Sequence, residues 1–158
     1  MQTIEDVVLE SPAFADLTDD RRALLAGCGK NARFKDGEYL FREGDSADVF
    51  YLLRRGDMAL ELVAPGRGPL LIETVHTGEL VGFSWLFPPH RWHLDGRAVG
   101  PVAAIEFDGT CLRGKCEADH EFGYDLQLRF ASILIERLQA TRLRLLDVYG
   151  SPVGVEPA

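Results

Sequence analysis

Phe34-Lys-Asp-Gly-Glu-Tyr-Leu-Phe-Arg-Glu-Gly-Asp-Ser-Ala-Asp-Val-Phe-Tyr-Leu-Leu-Arg-Arg-Gly56 sets short apolar runs between glycine-bearing turns, at the pitch of a small β-barrel. Gly37, Gly44 and Gly56 stand where a tight corner needs positive φ, a region in which any other side chain meets the backbone. Tyr39, Phe41, Phe50 and Leu52 fall on alternate positions, the pattern of a half-buried strand. Outward from this stretch the texture holds between residues 32 and 107. Strands are predicted at 39–42, 49–54, 58–63, 70–75 and 98–107, with Pro65-Gly-Arg-Gly-Pro69 as a hairpin tip. Such spacing favours a closed or double-sheet β architecture over alternating βα units.

Helical signals flank this region. Residues 11–29 read as a helical lead-in, with Thr18 as N-cap and Asp19 and Asp20 suiting the helix dipole. Residues 111–116 give a short helix, and 121–149 a long one without proline. Along the long helix Ala131, Leu134, Leu138, Thr141, Leu145 and Val148 recur at alternating three- and four-residue steps, the seam of a paired helix. A second stripe, Leu126, Phe130, Ile133 and Leu146, is placed to cover the barrel. Two apolar faces on one helix predict that one is buried within the chain and the other in a homodimer. Residues 1–10 are read as an N-terminal arm, 11–149 as one domain and 150–158 as a disordered tail.

Composition narrows the function. At 158 residues, 46% hydrophobic and 27% charged, the chain has room for one domain with a proper core. Its formal net charge of −8 argues against a nucleic-acid binder, which relies on clustered Lys and Arg. No signal peptide or long apolar run is found, so a cytoplasmic protein without membrane contact is expected. Cys28, Cys111 and Cys116 are an odd set at unremarkable spacing, read as reduced thiols. Cys111-x4-Cys116-x3-His120 is not a metal-knuckle spacing, and its cysteines read as buried residues of the short helix. His76, His90 and His93 are scattered, and no catalytic triad, Walker loop or His-Glu-x-x-His motif occurs. No metal, no cofactor and no enzymatic activity are therefore predicted.

The 34–56 run resembles the opening strands of the cyclic nucleotide-binding domain of the catabolite activator protein (Crp/Fnr) superfamily, with its Phe-x-x-Gly-x-x-Leu-Phe-x-x-Gly-Asp-x-x-Asp-x-x-Tyr-x-Leu-x-x-Gly pattern. The resemblance implies a mainly β fold, a double-stranded β-helix (jelly-roll) barrel with a helical lead-in and a long C-terminal dimerisation helix. Regulators of the superfamily continue into a helix-turn-helix domain. None is expected after this long helix, and so no direct DNA binding.

By the same resemblance, residues 77–98 correspond to the phosphate-binding cassette, Gly-Glu-Leu-x-Gly-Glu, a short helix, then Arg-Ser/Thr-Ala. Glycines there let backbone N–H groups close on the cyclic phosphate, an Arg supplies charge and the second Glu accepts from the ribose. Gly78, Glu79, Leu80 and Gly82 match, with Val81 at the variable position. Phe83 stands where the ribose-binding Glu belongs, and Trp92 and His93 replace the Arg and its hydroxyl partner. An ungapped register puts His93 and Leu94 there instead, and neither restores the Arg. Strand alternation predicts Trp92, Leu94, Gly96 and Ala98 facing inward and Arg91, His93, Asp95 and Arg97 outward. Phe83, Trp85, Phe87 and Trp92 are expected to cluster in the pocket. These features predict a non-enzymatic sensor acting through an unidentified protein partner, with cyclic nucleotide not bound in the usual way. Two alternatives stand beside it: a true cyclic nucleotide sensor in which Arg91 swings inward, and the dimerising half of a Crp/Fnr-type transcription regulator working with a DNA-binding partner.

Overall fold

A computed structural model describes residues 2–149; the tail expected at 150–158 lies outside them. The elements run α1 (Ile4–Glu10), α2 (Asp19–Ala26), β1 (Gly29–Phe34), β2 (Tyr39–Phe41), β3 (Val49–Ala64), β4 (Gly68–Val75), β5 (Leu80–Val81), β6 (Asp95–Asp108), α3 (Gly109–Ala118) and α4 (His120–Tyr149), with a 3₁₀ turn at Ser84–Leu86. The strands pair antiparallel in the order β1-β6-β3-β4, with β2 on β6 and β5 on β3. This is the expected mainly β, jelly-roll architecture with flanking helices.

Two long strands replace several short ones. β3 fuses the strands expected at 49–54 and 58–63, and its register against β6 slips on both sides of Arg55. Gly56 makes that bend, with φ of 95°. A Cβ there would lie 2.3 Å from the Pro101 carbonyl oxygen, so the corner admits only glycine. Gly37 and Gly44 also take positive φ, as the spacing predicts.

The core has two compartments. Tyr51, Leu53, Met58, Leu60, Trp92 and Ala98 fill the barrel with Phe41. Phe50, Leu52, Ile105 and Phe107 instead meet the helices through Phe14, Leu25, Leu112, Phe122 and Phe130. Residues 50–53 are therefore buried without interruption, because both faces of β3 are covered, and the one-sided alternation expected there does not apply.

Three expectations are corrected. The arm predicted at 1–10 contains α1, closed by a reciprocal cap between Thr3 and Asp6, and it buries Val8 completely. The cysteines are not all reduced: Cys28 and Cys111 form a disulfide, and Cys116 is free. Spacing of 83 residues could not reveal that pair, because the fold brings the α2–β1 corner beside the first turn of α3. Lastly, the stripe expected to cover the barrel ends early. Leu126 and Phe130 are buried and Ile133 half-buried, but Leu146 is exposed, and α4 has no fully buried residue after Phe130.

Candidate functional site: the cassette loop and the long helix

The loop joining β4 to β5 is pinned to β3 by backbone bonds and closed by the Glu79 side chain. Gly78 N–H donates to Leu53 O at 2.8 Å, Leu53 N–H to Glu79 O at 3.1 Å, and His76 N–H to Glu79 Oε1 at 2.8 Å. Glu79 is thus engaged in holding the turn. His76 Nδ1 lies 2.9 Å from Asp57 Oδ1, and that carboxylate raises the imidazole above its ordinary value.

Gly82 takes φ of 107°, in the left-handed region that favours glycine. The place a Cβ would occupy is 2.9 Å from Trp92 Cη2 and 3.2 Å from Phe50 Cα. Trp92 itself stacks on Phe41 with centroids 3.7 Å apart and planes 11° apart. Its main chain is pinned on both sides, Trp92 N–H to Asp45 O at 3.0 Å and Gly44 N–H to Trp92 O at 2.9 Å. An indole therefore covers the second cassette glycine.

The remaining cassette positions scatter. Arg91 is exposed and donates to Gly44 O at 2.9 Å, and His93 is exposed as well. The expected four-ring cluster does not form. Trp85 stacks on Phe50 at 5.1 Å and meets Phe130 edge-on at 5.3 Å in the helical compartment, while Phe83 meets Phe130 at 5.8 Å. Phe87 is 56% exposed and Trp92 belongs to the barrel interior. Two compartments, rather than one pocket, divide these rings.

Asp95 also departs from the alternation. It is buried, accepting from Glu43 N–H at 2.7 Å with Arg42 Nε at 3.4 Å, because β6 begins at Asp95 and its carboxylate serves the 42–45 turn. Arg97 is half-exposed and grips the buried Glu61 through two 2.9 Å bonds. That bidentate contact holds the Glu61 carboxyl below its usual range against the opposing effect of burial.

Sequence reasoning missed Arg137. A groove of about 560 Å³ runs between the cassette loop, the 12–16 segment and α4, and Arg137 reaches across it. Its guanidinium donates to Leu80 O and lies 5.0 Å from the centroid of the Phe83 ring. No carboxylate lies within ion-pair distance of it among the described residues, and burial pulls its pKa down. A charged residue one turn beyond Ile133, in the stripe that faces the chain, was the available signal. Arg129 in the same groove is paired with Asp16 and Asp125. The groove is acidic overall, since Asp16, Glu73, Glu79 and Glu136 oppose only Arg129 and Arg137.

On α4 the predicted seam is rotated. Ala131, Leu138, Leu145 and Val148 are exposed, but Leu134 and Thr141 are half-buried. The continuous outward stripe runs Tyr124, Leu128, Ala131, Ile135, Leu138, Arg142, Leu145 and Tyr149, all exposed. Among the described residues no three His, Cys, Asp or Glu are placed to share a metal ion. No helix of the described residues is long and apolar enough to cross a membrane.

The family model for the cyclic nucleotide-binding domain matches residues 32–119, more than half of the chain, and the chain belongs to that family. Its members are regulatory domains and not enzymes. Among solved structures, a protein from Geobacter metallireducens described as cyclic nucleotide-binding shares 27% identity over 87% of this chain and 99% of its own, with a TM-score of 0.76. The N-terminal domain of a transcriptional regulator from Streptomyces coelicolor shares 27% over 89% and 96%, with a TM-score of 0.68. The Thermus thermophilus catabolite activator protein, at 20% identity over 85% of this chain and 62% of its own, has a TM-score of 0.70 and shows likeness of fold. A search of curated proteins gave no match.

Proposed function

We propose that this domain is a non-enzymatic regulatory module, cytoplasmic and homodimeric, that does not take cyclic nucleotide in its cassette and signals through α4 to a protein partner. The observation that carries this reading is the Trp92 indole seated over Gly82. A cyclic phosphate entering there would have to expel a ring stacked on Phe41. It would find no cassette Arg, because Arg91 faces solvent and is engaged with Gly44. It would also face the acidic groove beside the loop. Losing two charge-assisted contacts costs about 3–6 kcal/mol, or roughly two to four decades in affinity. Titration calorimetry with cAMP and with cGMP is the test: neither should bind at micromolar concentration, and micromolar or tighter binding of either overturns the reading.

Dimerisation follows from α4. Beyond Phe130 this helix buries no residue fully, yet keeps an outward apolar stripe at coiled-coil spacing. A second copy meeting that stripe would cover Leu128, Ile135, Leu138 and Leu145. Sedimentation velocity of the full chain tests it, and a monomer at tens of micromolar would count against it.

A further inference from the structure

We propose that Cys28–Cys111 is a thiol–disulfide exchange site, opened by a dithiol reductant, that controls how firmly α3 is held at the joint between the barrel and α4. This goes beyond the ligand reading and does not depend on it.

The disulfide sits at a crossing of elements. Cys28 lies in the α2–β1 corner and Cys111 in the first turn of α3, whose N-cap Asp108 ends β6. α3 touches each part that a regulatory movement would involve. Arg113 donates to the Trp85 carbonyl in the cassette turn, Lys115 Nζ to Leu24 O at 2.6 Å in α2, and Cys116 packs against Gly123 of α4. Between the corner and α3 the non-covalent ties are the Lys115 bond, the Asp108 N–H to Cys28 O bond at 2.8 Å, and packing around Leu25 and Leu112. The disulfide is the covalent member of that set.

It is also reachable. A surface groove of about 580 Å³ is lined by both cysteines together with Lys30, Asp48 and Thr110. Cys111 is half-exposed, whereas Cys28 is buried. A reductant thiolate therefore attacks Cys111 Sγ, a bond forms between those two sulfurs, and Cys28 leaves as a thiolate that takes a proton from water. The reductant's second thiolate then attacks its own sulfur in the mixed disulfide and releases Cys111, which is protonated in turn. Two electrons have passed to the protein, and the reductant has become a disulfide. Cys116 is outside the pair: it is the free thiol, and burial, with Asp119 and Glu117 nearby, pushes it above its ordinary value.

The test uses the full chain with dithiothreitol as the dithiol. Alkylation and mass spectrometry of air-purified protein should find only Cys116 labelled before reduction, and all three cysteines labelled after reduction without denaturant. Hydrogen exchange across α3 and the first turn of α4 should then rise by about 10-fold or more and return on reoxidation. Cys116→Ser should keep the whole response. Cys111→Ser should exchange fast with or without reductant, and if it fails to fold, reversible reduction of the wild type still decides. Free Cys28 and Cys111 in the starting protein, a disulfide that yields only in denaturant, or unchanged exchange after reduction would each overturn the proposal. Nucleotide binding is not read in any arm, so failure here is distinct from failure of the ligand reading.

Discussion

Replacing Trp92 by alanine tests whether an aromatic ring has taken over the barrel interior. The indole is 6% exposed, stacks on Phe41 and lies against Gly82. A buried tryptophan removes roughly 150–250 Å² from water, which at about 25 cal/mol per Å² is an upper bound near 4–6 kcal/mol. Large-to-small substitutions in cores cost about 3–5 kcal/mol, cavity term included. We therefore expect Trp92→Ala to lose about 4 kcal/mol and Trp92→Phe, which keeps a ring on Phe41, less than half of that. Urea denaturation followed by fluorescence gives the number, since Trp85 becomes the chain's remaining tryptophan. Added indole should stabilise the alanine variant and not the wild type, by refilling the space. A loss below about 1 kcal/mol at unchanged m-value would refute the reasoning, because a ring so cheaply removed would not be packed where a ligand must enter.

Other outcomes follow from the same geometry. Arg97→Ala should cost more than Glu61→Ala, about 3–5 against 1–2 kcal/mol in chemical denaturation, because the Glu61 side chain is 7% exposed while that of Arg97 is 33% exposed and can return to water. Glu61 is held below its ordinary value, so the pair's contribution is fully present above the unfolded carboxyl pKa near ~4.3 and is lost as pH falls through the lower folded value; the Glu61→Ala variant should lack that part of the acid dependence. Gly82→Ala should destabilise by about 2 kcal/mol or more in the same assay, since it meets both a positive φ and a ring already in contact. Ile135→Glu with Leu138→Glu should leave the folding midpoint of the barrel unchanged but shift sedimentation from dimer to monomer. Reducing Cys28–Cys111 reopens an 83-residue separation in the unfolded chain and should lower stability by about 4–5 kcal/mol on the chain-entropy scale, read as a fall in melting temperature that Cys116→Ser does not alter.

Much of the fold was legible because turn chemistry and period-2 burial act locally. Gly37, Gly44 and Gly56 adopt the positive φ their spacing demanded, Thr18 caps α2, and the Pro65–Pro69 segment turns β3 into β4. Strand lengths were less legible, since a bulge at Gly56 looks in sequence like the end of one strand and the start of another. On α4 the arithmetic of three and four fits two neighbouring stripes equally well. Only the packing of Phe130, Ile133 and Arg137 against the barrel shows that Leu134 and Thr141 turn partly inward. The disulfide was out of reach for a different reason: it joins segments made neighbours by the antiparallel pairing of β1 with β6.

At the cassette, the departures from the family pattern at Phe83, Trp92 and His93 could be read residue by residue, but where those side chains pack could not. A missing charge in a ligand site leaves two routes, another charge brought from elsewhere or a filled space, and the sequence pattern does not choose between them. A filled space and a second charge both occur in the fold, on different sides of the loop. Trp92 fills the barrel beneath Gly82, while Arg137 comes from α4 to the cassette's outer side and bonds the Leu80 carbonyl. That carbonyl is a backbone acceptor, so the guanidinium ties loop to helix without requiring an anion between them. Here helix and cassette are bridged directly, and under the proposed reading a movement of α4 would start at the joint around α3 or on the exposed face of the helix itself.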